Sequence, residues 1–127
     1  MKLWVIAAAV NGFVAIAMGA AFAAHGMPAA PAGAASGWIE TAARYEMWHA
    51  LALLIVGLLV RVEGASGRWL GLAGWAFLIG TVLFSGSLYL LALAGWPPFA
   101  LITPFGGVAF LVGWVALGLH GATRRVG

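Results

Sequence analysis

The hydropathy of this chain rises and falls four times along its length. Apolar runs occupy residues 3–24, 45–60, 69–94 and 104–120, and most of the Pro and charged residues lie between or beside them. A helix that crosses about 30 Å of hydrocarbon needs about 20 predominantly apolar residues. The pattern therefore predicts an all-α fold, an integral membrane bundle of four transmembrane helices, in a single domain of 127 residues.

The segments around the second run are more polar than the others. Residues 25–37 are rich in Ala, Gly and Pro and predict an outward loop. Residues 38–44 contain Glu40 and Arg44 in the i,i+4 order that favours an ion pair, which predicts an interfacial helix before the span. Ahead of the fourth span, Thr103 suits an N-cap and Pro104 the first helical position.

The first run has a second interpretation. A basic Lys2, an apolar stretch and the small residues around Phe22 resemble a secretory signal peptide with its cleavage site. The run is longer than the usual signal core of about 7–15 residues, so we interpret it as a retained span.

The few charged residues predict the topology. The chain has six basic and three acidic residues. It has no cysteine, and this absence excludes disulfides and thiolate chemistry. With four spans, one side of the membrane receives Lys2, Arg61, Arg68, Arg124 and Arg125, whereas Arg44 alone falls on the other side. The positive-inside rule then places both termini in the cytoplasm. Scattered basic residues beside apolar runs indicate lipid head groups as partners and not nucleic acid.

Small residues recur at helical spacing in the first and fourth spans. Gly12 and Gly19 share a face of the first helix, and Gly106 and Gly113 share a face of the fourth. Because lipid tails do not drive helices together, close approach at small residues stabilises membrane bundles. These glycines are predicted to mark packing seams inside the bundle. The alternative is a seam against a second copy or another membrane subunit.

His25, Glu46 and His49 form the candidate polar cluster. They are predicted to lie near the outer interface, with Glu46 and His49 three residues apart on one helix face. Hydrogen bonds between the first two helices are the favoured role. The open alternatives are a proton relay, a single metal ion, or a haem held by His25 and His49.

Other polar residues lie within the spans and need partners there, because unpaired polar groups are costly in hydrocarbon. They are Asn11, Ser85, Ser87, Tyr89 and Thr103. The chain has no Asp, so a Ser-His-Asp triad is excluded, and it lacks a P-loop or a dinucleotide fingerprint. We therefore expect no enzymatic activity and no resident cofactor.

Several segments occur together in a known family. They are Phe22–Gly26, Trp38–Thr41, Tyr45–His49, Thr81–Tyr89 and Thr103–Gly107. On these segments the chain resembles the YgdD-like family of small bacterial inner-membrane proteins, a domain of unknown function with a distant mitochondrial relative. The resemblance implies four spans and no established reaction. It implies shared roles for residues at motif positions: His25, His49, Ser85, Ser87, Tyr89, Thr103 and Pro104.

The chain departs from the family pattern at a few positions. It has Ala23 where the family often has Gly, and Glu40 and Glu46 where it often has Gln. A Gln at position 46 would make an ionised carboxylate dispensable there. The favoured hypothesis is therefore a structural or accessory subunit that packs with itself or with a larger membrane complex. A small proton-coupled transporter is the main alternative, and a haem or metal subunit is the other.

Overall fold

The computed structural model describes residues 2–24, 34–64 and 67–124. The helices are α1 (Lys2–Met18), α2 (Ala34–Glu63), α3 (Arg68–Ala94) and α4 (Thr103–Thr123). A π-helical segment, Gly19–Ala24, continues α1, and a 3₁₀ segment, Pro97–Leu101, precedes α4. The described residues include no strand and contain four helical stretches long and apolar enough to cross a membrane. The predicted all-α, four-span architecture is confirmed.

Glycine ends two of the helices. Gly64 and Gly95 are the glycines with positive φ in the described residues, at 69° and 66°. The Gly64 N–H donates to the Val60 carbonyl, and the Gly95 N–H donates to the Leu91 carbonyl. A left-handed residue at this position pairs carbonyls of the last turn that would otherwise lack a partner.

Helix α2 differs from the prediction at its start and in its continuity. It begins at Ala34, so residues 34–37 are helical rather than loop. The predicted interfacial helix 38–44 and span 45–60 belong to one uninterrupted helix of 30 residues that continues to Glu63. The chain offers no Pro or Gly pair at the expected division, and Glu40 and Arg44 pair on the exposed face at 2.7 Å, so nothing interrupts the backbone.

The start of α4 also differs. Thr103 is the first residue of the helix and not its cap, and Ile102 precedes it with helical dihedral angles. The chain thus passes from the 3₁₀ segment into α4 almost without a break. The Thr103 hydroxyl is consequently available for a partner on another helix.

Helices α2 and α3 form the centre of the bundle, with α1 packed against α2 and α4 packed against α3. The innermost side chains include Leu53, Val56, Leu70 and Phe77, which are fully buried. A ring contact also joins α1 to α3, with the buried Trp4 against the half-exposed Trp75 at 5.3 Å between centroids. The outer faces of the helices expose large apolar side chains, as expected for a protein whose solvent is lipid.

The predicted packing glycines lie in different surroundings. A Cβ at Gly106 would lie 2.7 Å from the Phe84 Cα, and one at Gly113 would lie 2.6 Å from the Phe77 ring. A Cβ at Gly19 would lie 3.7 Å from the Ala43 Cβ, which is an ordinary contact distance. A Cβ at Gly12 would meet no atom within 4 Å, so Gly12 does not lie at a close helix contact.

Candidate functional site: a polar and aromatic cluster between the helices

Glu46 and Tyr89 join α2 to α3. The Tyr89 hydroxyl donates to Glu46 Oε1 at 2.8 Å, and both side chains are buried. One turn away, the Ser85 hydroxyl donates to the Ala42 carbonyl of α2 at 2.8 Å. These two hydrogen bonds fasten the same pair of helices along one seam. Both seam residues on α3, Ser85 and Tyr89, are therefore structural contacts in this conformation.

His49 joins α2 to α4 and has both ring nitrogens engaged. Its Nδ1 lies 2.7 Å from the Tyr45 carbonyl, and the Trp114 indole N–H donates to its Nε2 at 3.1 Å. A carbonyl can only accept and an indole N–H can only donate. The imidazole in this geometry is therefore neutral, with its proton on Nδ1.

Aromatic rings surround His49. Its ring stacks on Phe110 at 3.6 Å between centroids and an angle of 8°, and Phe77 packs against Trp114 at 5.0 Å. The Tyr45 ring lies 4.8 Å from the Phe84 ring of α3, between centroids. The stack of His49 on Phe110 connects α2 to α4, whose backbones are not close neighbours in the bundle.

An open groove remains between α2 and α4 beside this stack. The α2–α4 groove has a volume of about 500 Å³. Its lining residues are Tyr45, Trp48, His49, Leu51, Phe84, Gly107, Phe110, Leu111 and Trp114. Because the groove lies on the outer face of apolar helices, it opens toward lipid and not toward water.

The remaining candidate polar residues bond within their own helix or between α3 and α4. Asn11 donates to the Ala7 carbonyl of its own helix at 2.8 Å, and within the described residues it has no hydrogen bond to another helix. Ser87 lies within 2.9 Å of the Phe84 carbonyl and 2.6 Å of the Thr103 hydroxyl, which joins α3 to α4. Within the described residues, no buried side-chain nitrogen or oxygen lacks a hydrogen-bond partner.

The structure describes two of the three residues of the predicted cluster, Glu46 and His49. His25 lies outside the described residues, and Glu46 and His49 have different partners on different helices. In the described part of the chain, no three His, Cys, Asp or Glu side chains are grouped as metal ligands. His49 does not fit a haem or metal ligand in this geometry, because its Nε2 lone pair accepts the Trp114 proton.

The continuity of α2 bears on the depth of His49. By length and composition, the candidate span of α2 runs from Gly37 to Glu63, and His49 lies close to the midpoint of that stretch. The expected position of the cluster near the outer interface assumed a span that begins at residue 45, and it stays a prediction.

A second polar group at the other end of the bundle was missed by sequence reasoning. Glu63, at the end of α2, accepts from His120 of α4 at 2.8 Å and also pairs with Arg124. The Glu63 side chain is only 6% exposed. Neither residue was assigned a role from the sequence. The available signal was that both residues lie at or just beyond the ends of predicted spans, on the same predicted side of the membrane.

The Glu46–Tyr89 contact gives a direct test of the role of the carboxylate. We expect Tyr89→Phe to lower the free energy of unfolding by about 1–3 kcal/mol, because it leaves a buried acceptor without its donor. Glu46→Gln keeps an acceptor oxygen for Tyr89 and should cost clearly less. Equilibrium unfolding of the purified protein in mild detergent measures both. A loss in Glu46→Gln as large as that in Tyr89→Phe would show that an acceptor oxygen is not sufficient at position 46 and that the carboxylate itself is needed.

The fold and the cluster define the class: this is a small four-helix integral membrane protein whose polar residues join its helices. Residues 19–107 match the family described as "Protein of unknown function (DUF423)", and the chain belongs to that family. It is 43% identical to the UPF0382 inner membrane protein YgdD of Escherichia coli (strain K12), over 97% of this chain and 91% of that protein.

Relatives also occur in staphylococci. The UPF0382 membrane protein SAB0533 of Staphylococcus aureus (strain bovine RF122 / ET3-1) is 40% identical over 92% of this chain and 93% of its own length. The UPF0382 membrane protein SSP2132 of Staphylococcus saprophyticus is 42% identical over 92% of this chain and 94% of its own. No solved structure matches the chain. The family predicted from the sequence motifs is confirmed.

Proposed function

We propose that this protein is a non-enzymatic structural or accessory subunit of the bacterial inner membrane, which assembles with itself or with a larger membrane complex. The observation that supports this most directly is the engagement of its polar residues in internal hydrogen bonds. Glu46, His49, Ser85 and Tyr89 each bond to another part of the same chain. In a transporter, polar groups inside the membrane bind substrate or coupling ions instead.

The α2–α4 groove is the surface that we propose for assembly. Its edges expose Trp48, Leu111 and Trp114, which are 50%, 67% and 47% accessible. Aromatic side chains are enriched in the buried centres of protein interfaces, where they contribute much of the binding energy. A helix of a second membrane chain would cover these rings.

Filling the groove tests the proposal. Leu111→Trp places a larger side chain in the groove, and Val82→Trp is the matched control because Val82 is 63% exposed on α3 and does not line the groove. We expect the wild-type chain to associate in liposomes, as measured by energy transfer between labelled copies. Leu111→Trp should weaken that association, or the retention of a co-purified membrane complex, about tenfold, and Val82→Trp should not.

The opposite results are equally clear. Equal effects of Leu111→Trp and Val82→Trp would remove the groove from the interface. A wild-type chain that stays monomeric in liposomes and retains no complex would contradict the assembly proposal as a whole.

We also propose that both termini face the cytoplasm, which the charge distribution supports. Lys2, Arg61, Arg68 and Arg124 lie at one end of the bundle and Arg44 lies toward the other. The chain has no cysteine, so single-cysteine variants label cleanly. In intact spheroplasts, a membrane-impermeant maleimide should label Pro97→Cys and should label Thr123→Cys only after lysis. The reverse pattern would invert the topology.

A further inference from the structure

Two basic side chains at the end of the α1–α2 pair have no acidic partner among the described residues. The three acidic residues of the chain are engaged elsewhere: Glu40 with Arg44, Glu46 with Tyr89, and Glu63 with His120 and Arg124. Arg68 lies over the Trp69 ring at 5.0 Å. This leaves Lys2 and Arg61 as the described basic side chains with neither a carboxylate nor an aromatic partner.

Lys2 and Arg61 lie at the mouth of a groove between α1 and α2. The α1–α2 groove is lined near this mouth by Lys2, Val5, Ile6, Leu54, Leu58 and Arg61, with a volume of about 280 Å³. It continues into a second cavity of about 200 Å³, which shares Val5 and Leu54 and extends to Gly12 and Met47. Beyond the two cations the lining residues are apolar.

The length of the α1–α2 groove matches one leaflet of a bilayer. From Lys2 to Gly12 the helix rises about 15 Å, at about 1.5 Å per residue. The hydrocarbon core is about 30 Å thick, so one leaflet contributes about half of that distance. The open space at Gly12, where a Cβ would meet nothing within 4 Å, lies at the deep end of the groove.

We propose that the α1–α2 groove binds an anionic phospholipid, with its phosphate between Lys2 and Arg61 and an acyl chain along the apolar part toward Gly12. Charge complementarity selects the head group. A phosphate with a neutral or anionic head group has a net negative charge, which complements the positive charges of Lys2 and Arg61. Basic pockets between transmembrane helices bind anionic lipid head groups in this way. The site lies on a different helix pair from the α2–α4 groove and does not depend on the proposed assembly.

The test is native mass spectrometry of the purified full-length protein in mild detergent, titrated with phosphatidylglycerol or phosphatidylcholine of identical acyl chains. The wild-type protein should retain phosphatidylglycerol preferentially. Lys2→Gln with Arg61→Gln should reduce that retention at least about tenfold, since each basic side chain near an anionic lipid surface typically contributes about fivefold. Arg61→Lys combined with native Lys2 keeps the charge and should retain the lipid.

Matched single variants separate a defined site from general attraction. Arg61→Gln alone should lower phosphatidylglycerol retention, whereas Arg68→Gln, which also removes one positive charge from the same end of the bundle, should leave it unchanged. Gly12→Leu fills the deep end without altering charge and should lower retention, whereas Gly118→Leu, at another open helical position, should not. Circular dichroism checks that every variant remains helical.

Several results would overturn the proposal. Equal loss in Arg68→Gln and Arg61→Gln would indicate general surface attraction. Equal retention of the two lipids by the wild-type protein would remove the charge selectivity. Displacement of the lipid by inorganic phosphate alone, with no effect of Gly12→Leu, would indicate a phosphate site without an acyl-chain groove.

Discussion

Gly106→Ala is expected to lower the free energy of unfolding by about 3 kcal/mol, at the upper end of the usual cost of overpacking. The added Cβ would lie 2.7 Å from the Phe84 Cα, and it would also approach the Phe84 backbone nitrogen. Backbone atoms cannot move aside as a flexible side chain does, so α3 and α4 must separate. The loss exceeds the gain of up to about 1 kcal/mol that Ala brings to a helix relative to Gly.

The neighbouring glycine is the control. A Cβ at Gly107 would meet no atom within 4 Å, so Gly107→Ala should leave stability unchanged or raise it slightly. Equilibrium unfolding in mild detergent, followed by tryptophan fluorescence, compares the two variants. Equal stability of Gly106→Ala and Gly107→Ala would mean that α3 and α4 are not in close contact at Phe84.

The combined change His120→Leu with Arg124→Ala is expected to be similarly damaging, about 3 kcal/mol or more, because it leaves the Glu63 carboxylate buried without a partner. The Glu63 side chain is 6% exposed, and these two residues are its ion-pair partners within the described part of the chain. Adding Glu63→Leu removes the unpaired carboxylate and should restore most of the stability.

The exposed pair at the opposite end gives the comparison. Arg44→Ala removes the partner of Glu40, whose side chain is 61% exposed, and should cost less than about 1 kcal/mol. Thermal unfolding of the four proteins under identical detergent conditions is sufficient. If the variant with Glu63→Leu added unfolds as readily as the double variant, then lost packing and not an unpaired charge explains the damage.

The two packing stripes show what periodicity can predict. Gly106 and Gly113 were expected at a helix seam from their spacing, and they lie where α4 meets Phe84 and Phe77 of α3. Gly12 has the same kind of spacing but lines the open α1–α2 groove. Spacing defines which residues share a helix face, but the neighbour of that face depends on how the helices are arranged around one another.

The candidate cluster shows the same difference between what the sequence predicts and what the helix arrangement decides. The sequence identified Glu46, His49, Ser85 and Tyr89 as residues that need partners, because polar groups in hydrocarbon are costly. It did not pair Tyr89 with Glu46 or Trp114 with His49, which are separated by 43 and 65 residues. Nor did it find the bond between His120 and Glu63.

The sequence by itself determined the solvent of this protein, the number of its spans and its family. Those properties follow from the length of apolar runs and from local motifs, which are features of contiguous residues. Only the tertiary structure decided which polar groups meet, which glycines lie at close contacts and where grooves remain open. These depend on the rotation and order of the helices, because in lipid the packing of particular side chains, and not apolar character alone, selects helix neighbours.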